Sequence, residues 1–226
     1  SKRLEVTVWR DSAEYRIVFA GGEVIEPLKK TGPSAGRNGT QVRVWPDGKY
    51  FDDAGIPGAE LAHSLKARAV LLPGVTTHLL FEKTGKQESW RYEGGLKDYL
   101  LELIDGEEPV VDPWIAEGYV GSGDDVFAIG EGAQWALVWT AEGGIHRESF
   151  VNLIPTTAVG THEAGLRDGL FSAVKAFIEQ HNLLPKGSKV LPEDVFSRVS
   201  FVLSAKVLDP QFQGQTKEKL TSRDAL

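Results

Sequence analysis

Arg147-Glu148-Ser149-Phe150-Val151-Asn152-Leu153 runs, after Pro155 and Gly160, into Thr161-His162-Glu163-Ala164-Gly165-Leu166-Arg167-Asp168-Gly169-Leu170. The first segment reads as a strand over 147–153. The second opens the longest helix in the chain, over 161–182, with Leu166, Leu170, Val174, Phe177 and Ile178 as its core stripe. Arg167, Asp168, Lys175 and Glu179 fall on its other faces. Thr161 is placed to cap its start, Glu163 suits the positive end of the helix dipole, and Asn182 with Pro185 ends it. A further strand over 199–207 follows, left by Asp209-Pro210. A helix lying between strands that are mostly antiparallel sets the class as α+β.

Working upstream, 114–120, 126–129 and 134–139 read as further strands of that sheet, and 96–104 as a short helix after Gly94-Gly95. A domain boundary is expected near Gly94. Before it, 75–81 and 87–92 form a hairpin around Thr84-Gly85. Residues 59–72 read as a helix with Leu61, Leu65, Ala69 and Leu72 at helical spacing, stopped by Pro73-Gly74. The beginning is strand-rich: 4–10 and 15–20 flank a polar turn at Asp11-Ser12-Ala13, 23–28 is a third strand, and 40–45 a fourth. Residues 31–39 are rich in glycine and read as a loop. The order gives two layered units.

The chain has 226 residues, 41% of them hydrophobic, and a net charge of −7. That acidity argues against a tight, constitutive nucleic-acid binder, because phosphate binding is driven by Lys and Arg; a local basic surface is still compatible with it. No apolar run approaches the roughly 18–20 residues of a membrane span, and residues 1–10 lack the charged head and apolar block of a signal peptide. There is no cysteine, which removes disulfides and thiolate metal sites and fits a cytoplasmic protein. There is no methionine either, and residues 4–9 already read as a strand, so the chain is expected to begin after processing or inside a longer gene product.

Motifs that carry chemistry are sparse. The loop from Gly32 to Gly39 lacks the lysine of a phosphate-cradling loop and reads as a plain connection. His162-Glu163 starts like a zinc-protease helix, but no histidine follows at the needed spacing. His63, His78, His146 and His181 stand singly and read as surface or capping residues. Asp52-Asp53 and Asp124-Asp125 read as solvated loop carboxylates, and Trp135 and Trp139 as core. Asn38-Gly39-Thr40 matches a glycosylation sequon without a secretion signal to give it meaning. Read from its residues alone, the chain is an α+β protein without an assigned activity.

Two runs add a resemblance. Ser149 to Thr156, followed by Gly160 to Arg167, is similar to the transducer-domain signature of the ATPase subunits of bacterial type II DNA topoisomerases, the gyrase B family. Asp209-Pro210-Gln211-Phe212-Gln213-Gly214-Gln215-Thr216-Lys217-Glu218-Lys219-Leu220 resembles that family's Q-T-K loop. Gly39 to Asp47 looks like a late strand of its ATPase domain, and Tyr92-Glu93-Gly94-Gly95-Leu96 like the junction between its domains. The Val-Asn-Leu-Ile-Pro wording is nearer to the topoisomerase IV branch than to gyrase. Val159 departs from the pattern, where the family carries a second glycine before Gly160.

The resemblance implies that residues 1–95 are the late part of a GHKL-type ATPase sandwich and 96–226 a transducer of the ribosomal-protein-like α+β fold. The catalytic glutamate, the magnesium ligand and the glycine-rich lid would lie upstream of Ser1. ATP and Mg2+ are the implied cofactors, with no metal ligand in this chain. DNA, the A subunit of topoisomerase IV, a second B subunit in the ATP-bound state and ATP-site inhibitors are the implied partners, with no membrane involved.

By the same resemblance Lys217 is the catalytic residue, contacting the γ-phosphate of ATP, and Gln215 adds a neutral donor to that phosphate. Thr40 bonds the adenine edge, partly through water, Val42 walls the adenine pocket, and Arg10 stands at the pocket rim where inhibitors stack. Arg167 faces the cavity through which DNA passes, with Lys175, Lys186 and Lys189 adding to a positive surface. A solvated turn lysine, an ordinary strand pair and exposed surface arginines are the plain alternatives. A GHKL clamp of the chaperone or mismatch-repair type, used mainly for dimerisation, is the alternative function; the ATPase subunit of gyrase is the nearer one.

Overall fold

The computed structural model describes residues 1–51, 53, 55–122 and 128–223. Asp52, Asp124, Asp125 and the first two residues of the strand expected over 126–129 lie outside them. Packing divides the chain into two compact units, Ser1–Pro57 and Gly58–Leu226.

The first unit is a four-stranded antiparallel sheet: β1 (Arg3–Arg10), β2 (Ala13–Ala20), β3 (Glu23–Pro33) and β4 (Gly39–Trp45), in the order β3-β2-β1-β4. Two-residue turns join β1 to β2 and β2 to β3. Asp11 and Ser12 have φ of 51° and 57°, and Gly21 and Gly22 have 61° and 92°. Positive φ at both central residues matches the right-handed twist of the flanking strands. β3 runs past the expected residue 28 to Pro33, so the expected loop shrinks to residues 34–38. Pro27 is accommodated because β3 is an edge strand whose register slips opposite Arg16 and Val18.

The register sorts this sheet into two faces. Leu4, Val6 and Val8 of β1 oppose Phe19, Ile17 and Tyr15 of β2 on one side, and Val44, Val42 and Thr40 of β4 on the other, so all nine share one face. The other face is ionic. Arg3 and Arg16 reach Glu5 at 2.7 and 3.1 Å, and Arg16 reaches Glu26 at 3.5 Å.

The second unit opens with α1 (Gly58–Leu71), the hairpin β5 (Thr77–Phe81) and β6 (Lys86–Trp90), and α2 (Leu96–Leu103). Then come β7 (Trp114–Tyr119), β8 (Gly132–Trp139), β9 (Arg147–Val151), β10 (Ile154–Pro155), α3 (Thr161–Gln180), α4 (Pro192–Phe196) and β11 (Val199–Lys206). The sheet order is β10-β9-β11-β8-β7, antiparallel except for β9 beside β11. Helices cover both faces. Ala136, Val138 and Val202 point to α1 and α2, packing with Ala67, Val70, Leu96 and Leu100. Their neighbours Leu137, Phe201 and Leu203 point the other way, to Leu170 of α3 and Val195 and Phe196 of α4. Burial on both sides is why β8 and β11 are apolar almost without interruption.

Several expectations change in detail. The buried face of α1 is Ala67, Ala69 and Val70 rather than the leucine stripe, and Leu72 lies beyond the helix and is exposed. β9 stops at Val151, not Leu153, because Asn152 and Leu153 turn at φ of 48° and 68° into β10. Ala128 and Ile129 are not strand; Ile129 lies in a turn and is exposed. In α3 the cap is Gly160, not Thr161, whose N–H instead donates to the Leu220 carbonyl at 3.1 Å. Phe177 leaves the core stripe: it is exposed and its ring lies 4.3 Å from that of His181. Asn182, at φ 51°, ends the helix as expected: the N–H of Leu183 reaches Ile178 O at 3.1 Å and its own reaches Glu179 O at 3.2 Å. Trp135 and Trp139 both pack on the α3 side, and Trp139 Nε1 donates to Val195 O at 2.9 Å.

The packing boundary at Pro57/Gly58 is not the boundary read near Gly94. α1 joins the second unit because Ala67 and Val70 share one apolar cluster with Leu96, Tyr99 and Leu100. Polar groups tie the same elements: Lys66 meets Glu102 at 2.5 Å, and the Tyr99 hydroxyl donates to Glu148 at 2.9 Å. Burial, then the Glu148 charge, pushes the Tyr99 phenol up, so it stays a donor. Gly95, at φ 56°, takes a left-handed turn into α2 that favours glycine.

Candidate functional site

Arg10, Thr40 and Val42 come together on the apolar face of the first sheet. Thr40 opposes Val8, Val42 opposes Val6, and Arg10 follows Val8 by two residues on the same side. All three are exposed. Arg10 pairs with Asp11 at 3.3 Å, but both side chains are almost free in water, so the pair contributes little. A hydroxyl, an apolar surface and a terminal guanidinium thus line one exposed strip.

Gln215 and Lys217 sit at the tip of a small hairpin after β11. Its base is closed by backbone bonds from Gln213 N to Lys219 O at 2.9 Å and from Thr221 N to Gln211 O at 2.8 Å. Gly214 and Lys217 adopt φ of 78° and 58° to turn the tip. Lys217 is exposed, with Nζ 5.9 Å from the centre of the Phe212 ring. The base is anchored hard. Leu220 is fully buried against Val151 and Ala205, its carbonyl accepts from Thr161 N, and Glu218 O accepts from Ala158 N at 3.0 Å. The exposed cation therefore stands on a loop pinned to the first turn of α3.

Sequence reasoning missed two of the residues that fix this loop. Asn152 takes the left-handed turn after β9 and clamps the end of β11: its Nδ2 donates to Val207 O at 2.6 Å and its Oδ1 accepts from Val207 N at 3.0 Å. Asparagine directly after an apolar strand is a turn signal, and its reading as more strand passed over it. Leu220 closes a polar run in the sequence, and only its burial in the fold marks it.

The motif residues before α3 form a buried polar knot. Thr156 Oγ1 donates to Ser149 O at 2.8 Å and meets His162 Nε2 at 3.0 Å. Among the described residues Nδ1 of His162 is buried and without a hydrogen-bond partner. Burial pushes His162 down to about 4, so it is neutral. Gly160 is required here, since a Cβ would stand 2.8 Å from the His162 ring and from Leu220 N. Val159 is 57% exposed with ordinary backbone, which is why valine is accepted in that position.

Arg167 projects from α3 into a pocket of about 350 Å³ that also contains Arg147, Glu163 and Thr157. Its guanidinium lies 4.7 Å over the Phe196 ring. Lys175 is paired with Glu179 at 3.9 Å, and Lys186 and Lys189 are exposed beyond the helix. A larger, mostly apolar cavity of about 690 Å³ lies where Gly165, Gly169 and Ala173 leave α3 bare beside Trp135. Among the described residues no helix is long and apolar enough to cross a membrane.

The DNA gyrase B family profile matches residues 95–226. The B subunit of DNA topoisomerase 4 from Pseudomonas aeruginosa is 46% identical over 227 residues, covering 100% of this chain and 35% of the relative. The topoisomerase IV ATP-binding domain of Francisella tularensis, solved with a small-molecule inhibitor, is 35% identical with a TM-score of 0.74, covering 100% of this chain and 59% of that one. The 43K ATPase domain of Thermus thermophilus gyrase B, solved with an aminocoumarin, is 25% identical with a TM-score of 0.77 at the same coverages. The α+β architecture is thus that of the gyrase B and topoisomerase IV ATPase region, and the chain spans about a third of the length of the curated relative. With the profile covering more than half of its residues, the chain belongs to the DNA gyrase B family.

Proposed function

We propose that this chain is the phosphate-sensing and DNA-facing part of the ATP-driven subunit of a type II topoisomerase of the topoisomerase IV kind. Residues 1–95 are assigned to the late part of the GHKL sandwich and 96–226 to the transducer, a division supported by a family profile that begins at residue 95. The observation that carries the reading is Lys217, exposed at the tip of a loop whose base is bonded to α3.

ATP is the ligand these residues fit. An ammonium makes charge-assisted hydrogen bonds to a phosphate and offsets charge that grows during transfer. Lys217 takes the γ-phosphate, Gln215 donates a second, neutral bond, and Thr40, Val42 and Arg10 offer polar, apolar and cationic contacts for adenine and for inhibitors at its rim. Magnesium is assigned no ligand among these residues. Loss of the γ-phosphate releases Lys217. Because Leu220 O and Glu218 O bond to Thr161 and Ala158, displacement of the loop is carried directly into α3, where Arg167 resides. The partners of the whole enzyme are DNA, the DNA-cleaving A subunit of topoisomerase IV, and a second copy of the ATPase subunit; the enzyme works in the cytoplasm.

The test is Lys217→Ala in the full-length subunit. A hydrogen bond to a charged group is worth about 1.5–3 kcal/mol, so ATP hydrolysis should fall roughly ten- to a hundredfold. ADP affinity should stay the same, since ADP has no γ-phosphate. An equal loss of ADP affinity would make Lys217 a general phosphate or structural contact and end the sensor reading.

A further inference from the structure

We propose that Arg147 and Arg167 together form a phosphate-binding site, and that Glu163 beneath them holds its affinity down. The inference rests on the DNA-facing reading of Arg167 and adds a second cation and an attenuating carboxylate.

The two arginines reach one pocket from different elements, Arg147 from the start of β9 and Arg167 from the second turn of α3. Phe196 fixes both: its carbonyl accepts from Arg147 Nη2 at 2.8 Å, and its ring face supports the Arg167 guanidinium. Among the described residues neither has a carboxylate within salt-bridge distance. Burial, then the Arg167 charge, pulls Arg147 below the usual arginine range, against the opposing pull of Glu163. Two planar guanidiniums lining one pocket can each present paired N–H donors to the oxygens of a tetrahedral phosphate. Thr157 adds a hydroxyl at the rim.

Glu163 lines the same pocket at 5% exposure and makes no hydrogen bond among the described residues. Burial pushes its carboxyl up, while Arg167 and Arg147 pull it down. Glu148, whose carboxylate accepts from the Tyr99 hydroxyl, lines the pocket as well, so two carboxylates face the two arginines, and neutralising Glu163 leaves the pocket with one net positive charge. Repulsion between ionised Glu163 and a bound phosphate makes the grip loose, as suits a surface that DNA must pass rather than occupy. A carboxylate in the first turn of a helix also suits the dipole; that role alone would affect stability and not the salt dependence of phosphate binding.

The experiment uses the 226-residue chain and a short fluorescein-labelled DNA duplex, read by anisotropy across a salt series, with thermal midpoints measured in parallel. Arg147→Ala should lower the slope of log affinity against log salt by about 0.9 and Arg147→Lys should restore it. Glu163→Gln should tighten binding roughly threefold or more, the effect of removing one like charge ~6 Å from a phosphate under water-like screening. Inorganic phosphate at constant ionic strength should displace the duplex. If phosphate outcompetes the duplex strongly, the free ion is the ligand of the site; weak displacement points to the DNA backbone. An unchanged affinity in Glu163→Gln, an unchanged slope in Arg147→Ala, or no duplex binding by either the parent chain or Glu163→Gln overturns the proposal. If Arg167→Ala also leaves the slope unchanged, the DNA-facing reading fails with it; if Arg167→Ala acts and the other two do not, only this inference falls.

Discussion

Leu220→Ala separates the anchor of the Lys217 loop from its charge. Leu220 is fully buried among Val151, Ala205, Val207 and Phe212, and its carbonyl receives the first N–H of α3. Truncation leaves that backbone bond possible but removes the side chain that holds the loop base down. Buried leucine-to-alanine changes cost about 2–5 kcal/mol, according to how far the surroundings collapse. This cluster is small, and Val207 and Phe212 are only half-buried, so they can close part of the gap; the expected cost is about 2–3 kcal/mol. For a unit of this size each kcal/mol lowers the midpoint by roughly 2–4 °C, so the fall should be about 4–12 °C. Circular dichroism on the 226-residue chain measures it, with Lys217→Ala as the control. That residue is exposed and its backbone turn is retained, so its midpoint should move by no more than a surface substitution allows, about 0.5 kcal/mol. In the full-length subunit Leu220→Ala should also slow ATP hydrolysis, although every charged group is intact. A midpoint shift under about 2 °C would mean that the loop is not held by this side chain. A shift matched by Lys217→Ala would mean that tip and base are not separable.

Ser12→Gly should stabilise the first sheet by about 1 kcal/mol, because Ser12 occupies a left-handed turn position that glycine takes without strain; a drop in the urea midpoint would contradict the turn. Gly160→Ala should cost about 1–3 kcal/mol, as its Cβ meets the His162 ring and Leu220 N, and an unchanged midpoint would show that the knot yields. His162, held near 4 when folded and near 6.5 when unfolded, contributes stability that is complete above pH 6.5 and is lost as pH falls towards 4, about 3 kcal/mol in all. Glu163, raised by burial, works in the opposite sense as it protonates, so the acid loss should be steeper in Glu163→Gln. Urea unfolding at pH 7, 5.5 and 4.5 checks both, and a flat profile in the Glu163→Gln chain would remove His162 as the cause.

What could be read from the sequence was whatever local pattern encodes. The apolar stripe that begins at Leu166 placed α3 to within two residues, alternation placed β1, β2 and β4, and an apolar run placed β11. Period two also puts Thr40 and Val42 on one face, and register with β1 brings Arg10 to it. Local pattern says nothing about which distant group meets a position. Thr161 is a good cap by type, yet the Leu220 carbonyl, nearly sixty residues on, takes its N–H. Phe177 fits the helical stripe, yet it is exposed. The two-sided cover of the second sheet, to which α1 belongs, depends on Ala136 and Leu137 facing opposite helix pairs, and no window of sequence contains both partners.

The candidate site divides along the same line. A residue proposed to act on a ligand has no reason to be marked by its neighbours: Lys217 is an exposed lysine in a turn, and only the surrounding Gln-Thr-Lys wording distinguishes it from other solvated lysines. The residues that position it are marked by burial and backbone bonds, as Leu220, Asn152 and Gly160 are, but those marks exist only once the chain is folded. A family resemblance therefore finds the tip of the loop and physical packing finds its base. The coupling of nucleotide to DNA argued above needs both, because a cation on an unanchored loop could sense the γ-phosphate without moving α3.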